Sequence, residues 1–122
     1  MSAPQDKPPR RLTGTQRKYL RGLAHPLSPV VLVGRSGIND AVIAATDRAL
    51  ADHELIKVKI AATRDERERM AAEIERACGA ALAGTVGTIA ILYRPHEQPD
   101  RRRIVLPPPA AAATPIDGED GR

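Results

Sequence analysis

The stretch from residue 30 to residue 60 reads VVLVGRSGINDAVIAATDRALADHELIKVKI, and its pattern decides the fold. It begins with a continuous apolar run, Val30–Val33, which has the length of a strand and is typical of a strand buried on both faces. Asn39 is a suitable N-cap for a helix from Asp40 to about Asp52. The residues expected to point inward from this helix are Val42, Ala45, Ala49 and Leu50.

The same stretch ends with Leu55–Ile60, which predicts a second strand with two different faces. One face carries Ile56, Val58 and Ile60, and the other carries Leu55, Lys57 and Lys59. A strand, a helix and a strand in this order predict a right-handed crossover between two parallel strands.

A helix is predicted before this stretch, from about Gly14 to Ala24. Thr13 and Gln16 have the spacing of a capping box, and Pro26 ends the helical pattern. At about 100° per residue, this helix has an apolar face and a cationic face. The apolar face contains Tyr19, Leu20, Leu23 and Ala24, and the cationic face contains Arg17, Lys18, Arg21 and His25.

A third helix is predicted after the second strand. Thr63 and Glu66 form another capping-box pattern, and the helix runs to about Cys78 with Gly79 just past its end. The side chains expected to point inward from it are Met70, Ile74, Ala77 and Cys78.

The remaining elements complete an α-β-α-β-α-β-β order. Residues 81–86 and 88–93 flank a glycine and predict a β-hairpin, whereas residues 101–106 either add a short edge strand or stay irregular. This order predicts an α+β fold of two layers, with helices on one face of a four-stranded mixed sheet. The other face would be exposed and would carry Lys57 and Lys59. We expect residues 12–106 to fold, with residues 1–11 and 107–122 as disordered ends.

Charge and composition narrow the function. Residues 1–35 contain seven Lys or Arg against one acid, Asp6, although the whole chain has a net charge of only +4. A basic N-terminal third on a slightly acidic body is typical of a protein that faces a polyanion. The single cysteine excludes an intramolecular disulfide, and no apolar run is long enough to span a bilayer. These features predict a cytoplasmic protein without metal or other cofactor and without a small-molecule substrate. Nothing in the sequence indicates an obligate dimer, so we expect a monomer.

The tetrapeptide Gly34-Arg35-Ser36-Gly37 is the strongest candidate for a functional loop. It lies between a predicted strand and a predicted helix. Its glycines permit a sharp turn and a close approach by a phosphate backbone. The next helix would offer its N–H groups and the positive end of its dipole, and Arg35 adds a formal charge. This is the chemistry of the GxxG loop that clamps nucleic-acid backbones in KH modules, although an isolated GxxG is more often an ordinary turn.

Further cations are candidate phosphate contacts, each with a structural alternative. Arg17, Lys18, Arg21 and His25 could simply form a solvated helix face, but no acid balances them. Lys57 and Lys59 could serve to protect the sheet, and His25 could be only a helix-end residue. Arg94, at the end of the last strand, is a further candidate.

The chain from residue 12 to about residue 106 resembles the bacterial YhbY-like proteins, which are stand-alone CRM domains (chloroplast RNA splicing and ribosome maturation). The segments that carry the resemblance are LRGLAHPLSPVVLVGRSGI (20–38), ALADHELIKVKIA (49–61) and TIAILYRP (88–95). They occur in the order and spacing of the family. The resemblance implies a fold similar to the C-terminal domain of bacterial translation initiation factor three.

The resemblance also implies a partner and a surface. The partner would be RNA, in precursor large ribosomal subunits. By matching positions, the RNA surface would include Arg17, Lys18 and Arg21 on the first helix and residues 34–37 in the loop. The Pro-rich start and the Pro/Ala/acidic tail depart from the family pattern, so the resemblance assigns them no role.

Two alternatives to an RNA-binding assembly factor remain open. A protein-interaction adaptor on the ribosome would tolerate neutralisation of Arg17, Lys18 and Arg35. A small phosphatase or nuclease would need a convergent acid and base, a nucleophile with a base, or a metal cage. His25, His53 and His96 fall in separate loops or element ends, and Cys78 lies on an apolar stripe, so the sequence predicts no enzyme.

Overall fold

A computed structural model describes residues 11–108, and these residues contain the predicted elements in the predicted order. The helices are α1 (Gly14–Ala24), α2 (Asp40–His53) and α3 (Arg64–Cys78), and the strands are β1 (Val31–Val33), β2 (Leu55–Ile60), β3 (Ala81–Val86) and β4 (Ile89–Tyr93). A short 3-10 turn follows at Pro99–Arg101. The α+β class and the four-stranded mixed sheet are therefore confirmed, with β1 and β4 each starting one residue later than predicted.

The helix ends form where the capping residues predict them. Thr13 Oγ1 accepts a hydrogen bond of 3.1 Å from the Gln16 backbone N–H, and Gln16 Oε1 accepts one of 3.1 Å from the Thr13 backbone N–H. Thr63 and Glu66 make the same reciprocal pair at α3. Gly79 ends α3 in the left-handed conformation, at φ 64°, where a residue without Cβ is favoured.

The strand order in the sheet is β1-β2-β4-β3. β1 runs parallel to β2, as the predicted crossover requires, and the other neighbours are antiparallel. The sheet therefore has two distinct ends. At the loop end, β1 and β2 finish at Val33 and Ile60, and at the opposite end, β2 begins at Leu55 beside Tyr93.

Helices cover both faces of the sheet, which corrects the prediction that one face is left entirely exposed. Helices α2 and α3 cover the face that carries Ile56, Val58 and Ile60. Helix α1 packs on the other face, where Leu20 and Ala24 meet Leu55, Ala83, Ile91 and Tyr93. Each strand alternates between the two faces, so one short sheet supports two cores.

Strand β1 is an edge strand, and the prediction that it is buried on both faces was wrong. Val31 and Val33 are buried against α2 and α3, but Val30 is 52% exposed and Leu32 is 64% exposed. The reason is that α1 packs mainly over β3 and the start of β2 and does not extend to the end of β1. A continuous apolar run therefore marks a strand here without marking two buried faces.

Some helix faces also differ from their predictions. On α1, Tyr19 and Leu23 are 41% and 38% exposed, while Gln16 is buried. On α2 and α3, Thr46 and Ala71 are fully buried, in place of the exposed Ala45 and Ala77. Thr46 can be buried because its hydroxyl donates a hydrogen bond of 2.8 Å to Val42 O within the helix.

The segment after β4 forms no strand, and Glu54 holds it in place. Glu54 is 3% exposed and sits at φ 66° at the end of α2. Its carboxylate accepts hydrogen bonds from the backbone N–H groups of His96 (2.7 Å), Arg103 (2.9 Å) and Ile104 (3.2 Å). Ile104 and Leu106 then pack against the α1 core. The expectations for residues 1–10 and 109–122 lie outside the described residues.

Candidate nucleic-acid interface

Charge is divided between the two faces of the sheet. Residues 11–38 and 79–94, which form α1, β1, the GxxG loop, β3 and β4, contain no Asp or Glu, and neither does β2. The carboxylates of α2 and α3 lie on the other face: Asp40, Asp47, Asp52, Asp65, Glu66, Glu68, Glu73 and Glu75. We call the surface that α1, the strands and the GxxG loop form on the α1 side the acid-free face; the segment of residues 95–108, which packs beside α1 and contains Glu97 and Asp100, is not part of it. The field of the acid-free face favours a polyanion, because its cations have no neighbouring carboxylates to neutralise them.

The GxxG loop leaves β1 at the loop end of the sheet. Gly37 N–H donates a hydrogen bond of 3.0 Å to Gly34 O, and Gly37 adopts φ 71°, so the turn itself requires glycine at position 37. Gly34 has no such requirement, since a Cβ there would meet no atom within 4 Å. Its missing side chain is therefore not needed for folding and leaves space for an incoming group.

Two residues at the tip of this loop are free to bind a ligand. Arg35 and Ser36 are exposed, and among residues 11–108 neither their side chains nor their backbone N–H groups have a hydrogen-bond partner. An exposed guanidinium beside unpaired N–H donors is suited to phosphate oxygens.

The N-terminus of α2 contributes less than the sequence predicts. The helix begins at Asp40, and Asn39 Oδ1 already accepts the Val42 N–H at 2.9 Å. Asp40 also places a negative charge in the first turn. The cap and this carboxylate offset the positive end of the helix dipole. The remaining candidate phosphate donors at the loop are therefore Arg35 and the free N–H groups.

A row of side chains across the sheet is left uncovered between α1 and the loop end. We call it the open row, and it consists of Leu32, Lys59, Ile89 and Val86, which are paired neighbours on β1, β2, β4 and β3. Leu32 and Val86 are 64% and 61% exposed. The row spans three strand spacings, or about 14 Å. Sequence reasoning found only Lys59, although the alternation of β2 already implied that its neighbours share this face.

The cationic side chains of α1 lie along the acid-free face and differ in their hydrogen bonds. Arg17 and Lys18 are exposed, and Arg17 Nη1 donates a hydrogen bond of 2.7 Å to Leu12 O. Arg21 Nη1 donates one of 3.0 Å to Ala83 O, so its side chain lies on β3, next to the open row. His25 is the exposed C-cap of the helix. Helix α1 therefore lies over β3, β4 and the start of β2, while the GxxG loop follows β1 at the loop end, with the open row between them.

The two lysines of β2 differ in their contacts. Lys57 Nζ donates hydrogen bonds to His25 O at 3.2 Å and Leu27 O at 2.9 Å, so it holds the turn that follows α1. Its charge also stabilises the negative end of the α1 dipole. Lys59 is exposed in the open row and has no hydrogen-bond partner within residues 11–108. Lys59 is thus available for binding, while Lys57 is occupied by a structural role.

Arg94 lies at the end of the sheet opposite to the loop. Its Nη1 donates to Asp47 Oδ1 at 2.6 Å and to Cys78 O at 2.8 Å, and its Nη2 donates to Asp47 O at 3.1 Å. The side chain is only 22% exposed. Arg94 therefore ties β4 to α2 and α3, and we leave it out of the candidate interface.

The other side of the loop carries mixed charges. A cavity there lies between Gly34 and α3 and is lined in part by Arg35, Glu66, Arg69 and Glu73. Its two cations offset its two carboxylates, so this cavity does not favour a polyanion as the acid-free face does.

A second cavity, of about 430 Å³, lies at the end that Arg94 occupies. Cys78 lines it, but burial raises the pKa of this thiol and the charge of Asp47 raises it further, against the opposing effect of Arg94. A thiol that resists ionisation is a poor nucleophile. Within residues 11–108 there is no group of three or more His, Cys, Asp or Glu that could hold a metal ion, and no helix long and apolar enough to cross a membrane.

The fold and this surface define a small α+β domain with an acid-free face and an exposed GxxG loop, the features of a protein that faces a polyanion. Residues 12–94 match the CRS1/YhbY (CRM) domain family. The chain belongs to this family, which confirms the resemblance drawn from the sequence.

Individual relatives agree with this assignment. The chain is 44% identical over 88 residues to a protein of Haemophilus influenzae named "RNA-binding protein", covering 71% of this chain and 89% of that one. It is 36% identical over 97 residues to "Probable RNA-binding protein YqeI" of Bacillus subtilis, covering 79% and 99%. Its fold is similar to the solution structure of the hypothetical protein SAV1595 from Staphylococcus aureus, an RNA-binding candidate, with a TM-score of 0.69 and 34% identity, covering 80% and 100%.

Proposed function

We propose that this protein binds RNA through its acid-free face and is not an enzyme. The observation that carries the proposal is the division of charge across the sheet, with exposed Arg17, Lys18, Arg35 and Lys59 on a face whose elements contain no carboxylate. RNA is the polyanion that the names of its relatives indicate. Binding would rest on phosphate contacts and shape, with little sequence specificity.

We further propose that the RNA is that of precursor large ribosomal subunits and that the protein acts there as an assembly factor in the cytoplasm. The support is the family membership together with the family's implied association with these particles. The protein would act as a monomer, since both cores are completed within a single chain.

A salt titration with charge variants tests RNA binding. The variant combines Arg17→Gln, Lys18→Gln and Arg35→Gln, and the matched control combines Arg48→Gln, Arg64→Gln and Arg76→Gln on exposed positions of the other helices. For the first variant we expect the slope of log K against log salt to fall by about two, because each phosphate contact contributes roughly 0.7–0.9. The control should keep most of the wild-type slope. A wild-type affinity that does not change with salt would exclude the phosphate mechanism.

The particle and the adaptor alternative are tested in cells. Crosslinking followed by sequencing of the attached RNA should recover precursor large-subunit RNA with the wild-type protein. The triple Arg17, Lys18 and Arg35 variant should lose this RNA. If the variant stays on the particles as well as the wild type does, the chain is held there by protein contacts, and the adaptor function replaces RNA binding.

A further inference from the structure

The open row contains aliphatic side chains, which phosphate binding does not require. Leu32 and Val86 expose most of their aliphatic surface, and Ile89 is partly exposed between them and Lys59. Burial of exposed aliphatic side chains is favourable, so a row that brings three of them together is suited to apolar contact with a partner. Cations flank this row, with Arg21 on β3 at one edge and the GxxG loop after β1 at the other.

The charges indicate which partner fits. Lys59 stands in the middle of the row, and charged residues, Lys above all, are depleted from the centres of protein interfaces. A second copy of the chain would place Lys59 and Arg35 against like charges on another acid-free face. An unpaired stretch of RNA has the complementary arrangement, since it combines phosphates with bases whose faces are apolar.

We propose that the open row is a platform for the bases of unpaired nucleotides, whose phosphates are held by Arg35, Lys59 and Arg21. This inference rests on the proposed RNA-binding function and goes beyond it, because it makes unpaired RNA the preferred ligand. The row's length of about 14 Å spans four strands, as in RNA-recognition modules, where aromatic side chains on a four-stranded sheet stack two or three bases. Here aliphatic side chains would take the place of those aromatic side chains. The platform is aliphatic, so it distinguishes paired from unpaired RNA with little discrimination among the bases.

Polar replacements with high strand propensity test the platform. Val86→Thr is nearly isosteric and Leu32→Thr introduces a β-branched residue; both remove aliphatic surface that is already exposed, so the fold should be retained. Val105→Thr is the matched control, because Val105 is 80% exposed outside the row. The probes are a short oligouridine and an RNA duplex with the same number of phosphates, and the measurements are affinity at several salt concentrations and the sedimentation of the protein alone.

We expect the wild type to prefer oligouridine to the duplex. The Leu32→Thr/Val86→Thr variant should bind oligouridine about fivefold more weakly, at an unchanged salt slope, because only apolar burial is lost. Its affinity for the duplex, and both affinities of Val105→Thr, should stay at the wild-type values. Unchanged binding of oligouridine by the double variant would overturn the platform, as would a wild-type dimer that the double variant abolishes. Failure of the wild type to bind either RNA would instead refute the proposed function.

Discussion

The side chain of Arg21 occupies the space above Gly84. A Cβ at position 84 would stand 2.9 Å from Arg21 Cδ, and Arg21 Nη1 donates a hydrogen bond of 3.0 Å to the neighbouring Ala83 O. Gly84 follows the β-bulge of β3 and has φ 153°, a conformation that L side chains rarely adopt. Glycine at this position thus lets α1 pack on the edge of the sheet.

Replacing Gly84 by Ala should therefore destabilise the protein. We expect Gly84→Ala to lower the free energy of unfolding by about 1–3 kcal/mol, because the new Cβ is strained and displaces Arg21. Gly22→Ala is the control, since Gly22 lies within α1 with no atom near its Cβ position. That change should raise the free energy of unfolding by roughly 0.5–1 kcal/mol. Urea unfolding of both variants measures these changes. Equal stability of Gly84→Ala and the wild type would contradict the strained contact.

The two glycines of the GxxG loop should respond differently to substitution. Gly37→Ala should lower the free energy of unfolding by roughly 1–2 kcal/mol, because φ 71° disfavours any Cβ. Gly34→Ala should change it by less than about 0.5 kcal/mol, since its Cβ position is open. Both variants, and a bulkier Gly37→Val that still folds, should bind RNA more weakly if a phosphate backbone packs on the loop. Wild-type affinity in Gly34→Ala would place the backbone elsewhere.

Acid should weaken the attachment of the C-terminal segment to Glu54. Burial alone would raise the pKa of Glu54, but the N–H groups of His96, Arg103 and Ile104 and the charge of His96 hold the pKa below its ordinary value of 4.5. A lowered native pKa stabilises the fold above the unfolded-state pKa, and this contribution is lost as the pH falls through the native value. Unfolding measured between neutral pH and the acid range should show this loss of stability.

A substitution of Glu54 isolates the contribution of its carboxylate to the free energy of unfolding. Glu54→Gln should lower the free energy of unfolding at neutral pH by about 1–3 kcal/mol, because an amide cannot accept these bonds with both of its terminal atoms. It should also flatten the acid part of the pH profile. Glu68→Gln serves as the control, since its side chain is 63% exposed in an ion pair with Arg64. An unaltered profile in Glu54→Gln would show that other carboxylates govern the acid response.

Substitutions of Arg94 and Lys59 should have opposite effects, one on stability and the other on RNA binding. Arg94→Gln should lower the free energy of unfolding by about 1–3 kcal/mol, because the acceptors on Asp47 and Cys78 lose their donor. It should leave RNA affinity unchanged. Lys59→Gln should leave stability within about 0.5 kcal/mol of wild type, since its ammonium has no partner in residues 11–108. RNA affinity should fall, with a salt slope smaller by roughly 0.7–0.9. The reverse pattern would return Arg94 to the interface.

The sequence was sufficient where local chemistry determines structure. The capping boxes at Thr13 and Thr63 and the glycine at position 79 act within one turn of their helices, so their signals can be read directly. The alternation in β2 likewise assigned Lys59 and Val58 to opposite faces of the sheet.

Features that depend on which elements pack together in the folded chain could not be predicted from the local sequence pattern. Nothing local to α1 indicates that it packs on the face opposite to α2, so the sheet was expected to have one bare face. The buried role of Glu54 requires a segment some fifty residues later in the chain to supply its donors. Lys57 lies on β2 like Lys59, and Arg94 directly follows β4; only their carbonyl and carboxylate partners distinguish these two residues from Lys59.

The position of β4 has a consequence for how the chain acquires its shape during synthesis. Among the strands of residues 11–108, β4 is the last to be made, yet it lies between β2 and β3 and pairs with both. A nascent chain that stops before Ile89 therefore has two unconnected pieces of sheet and neither finished core. Because Ile104 and Leu106 also pack against the α1 core, we expect the fold to be completed only late in synthesis, after β4 and this segment have left the ribosome.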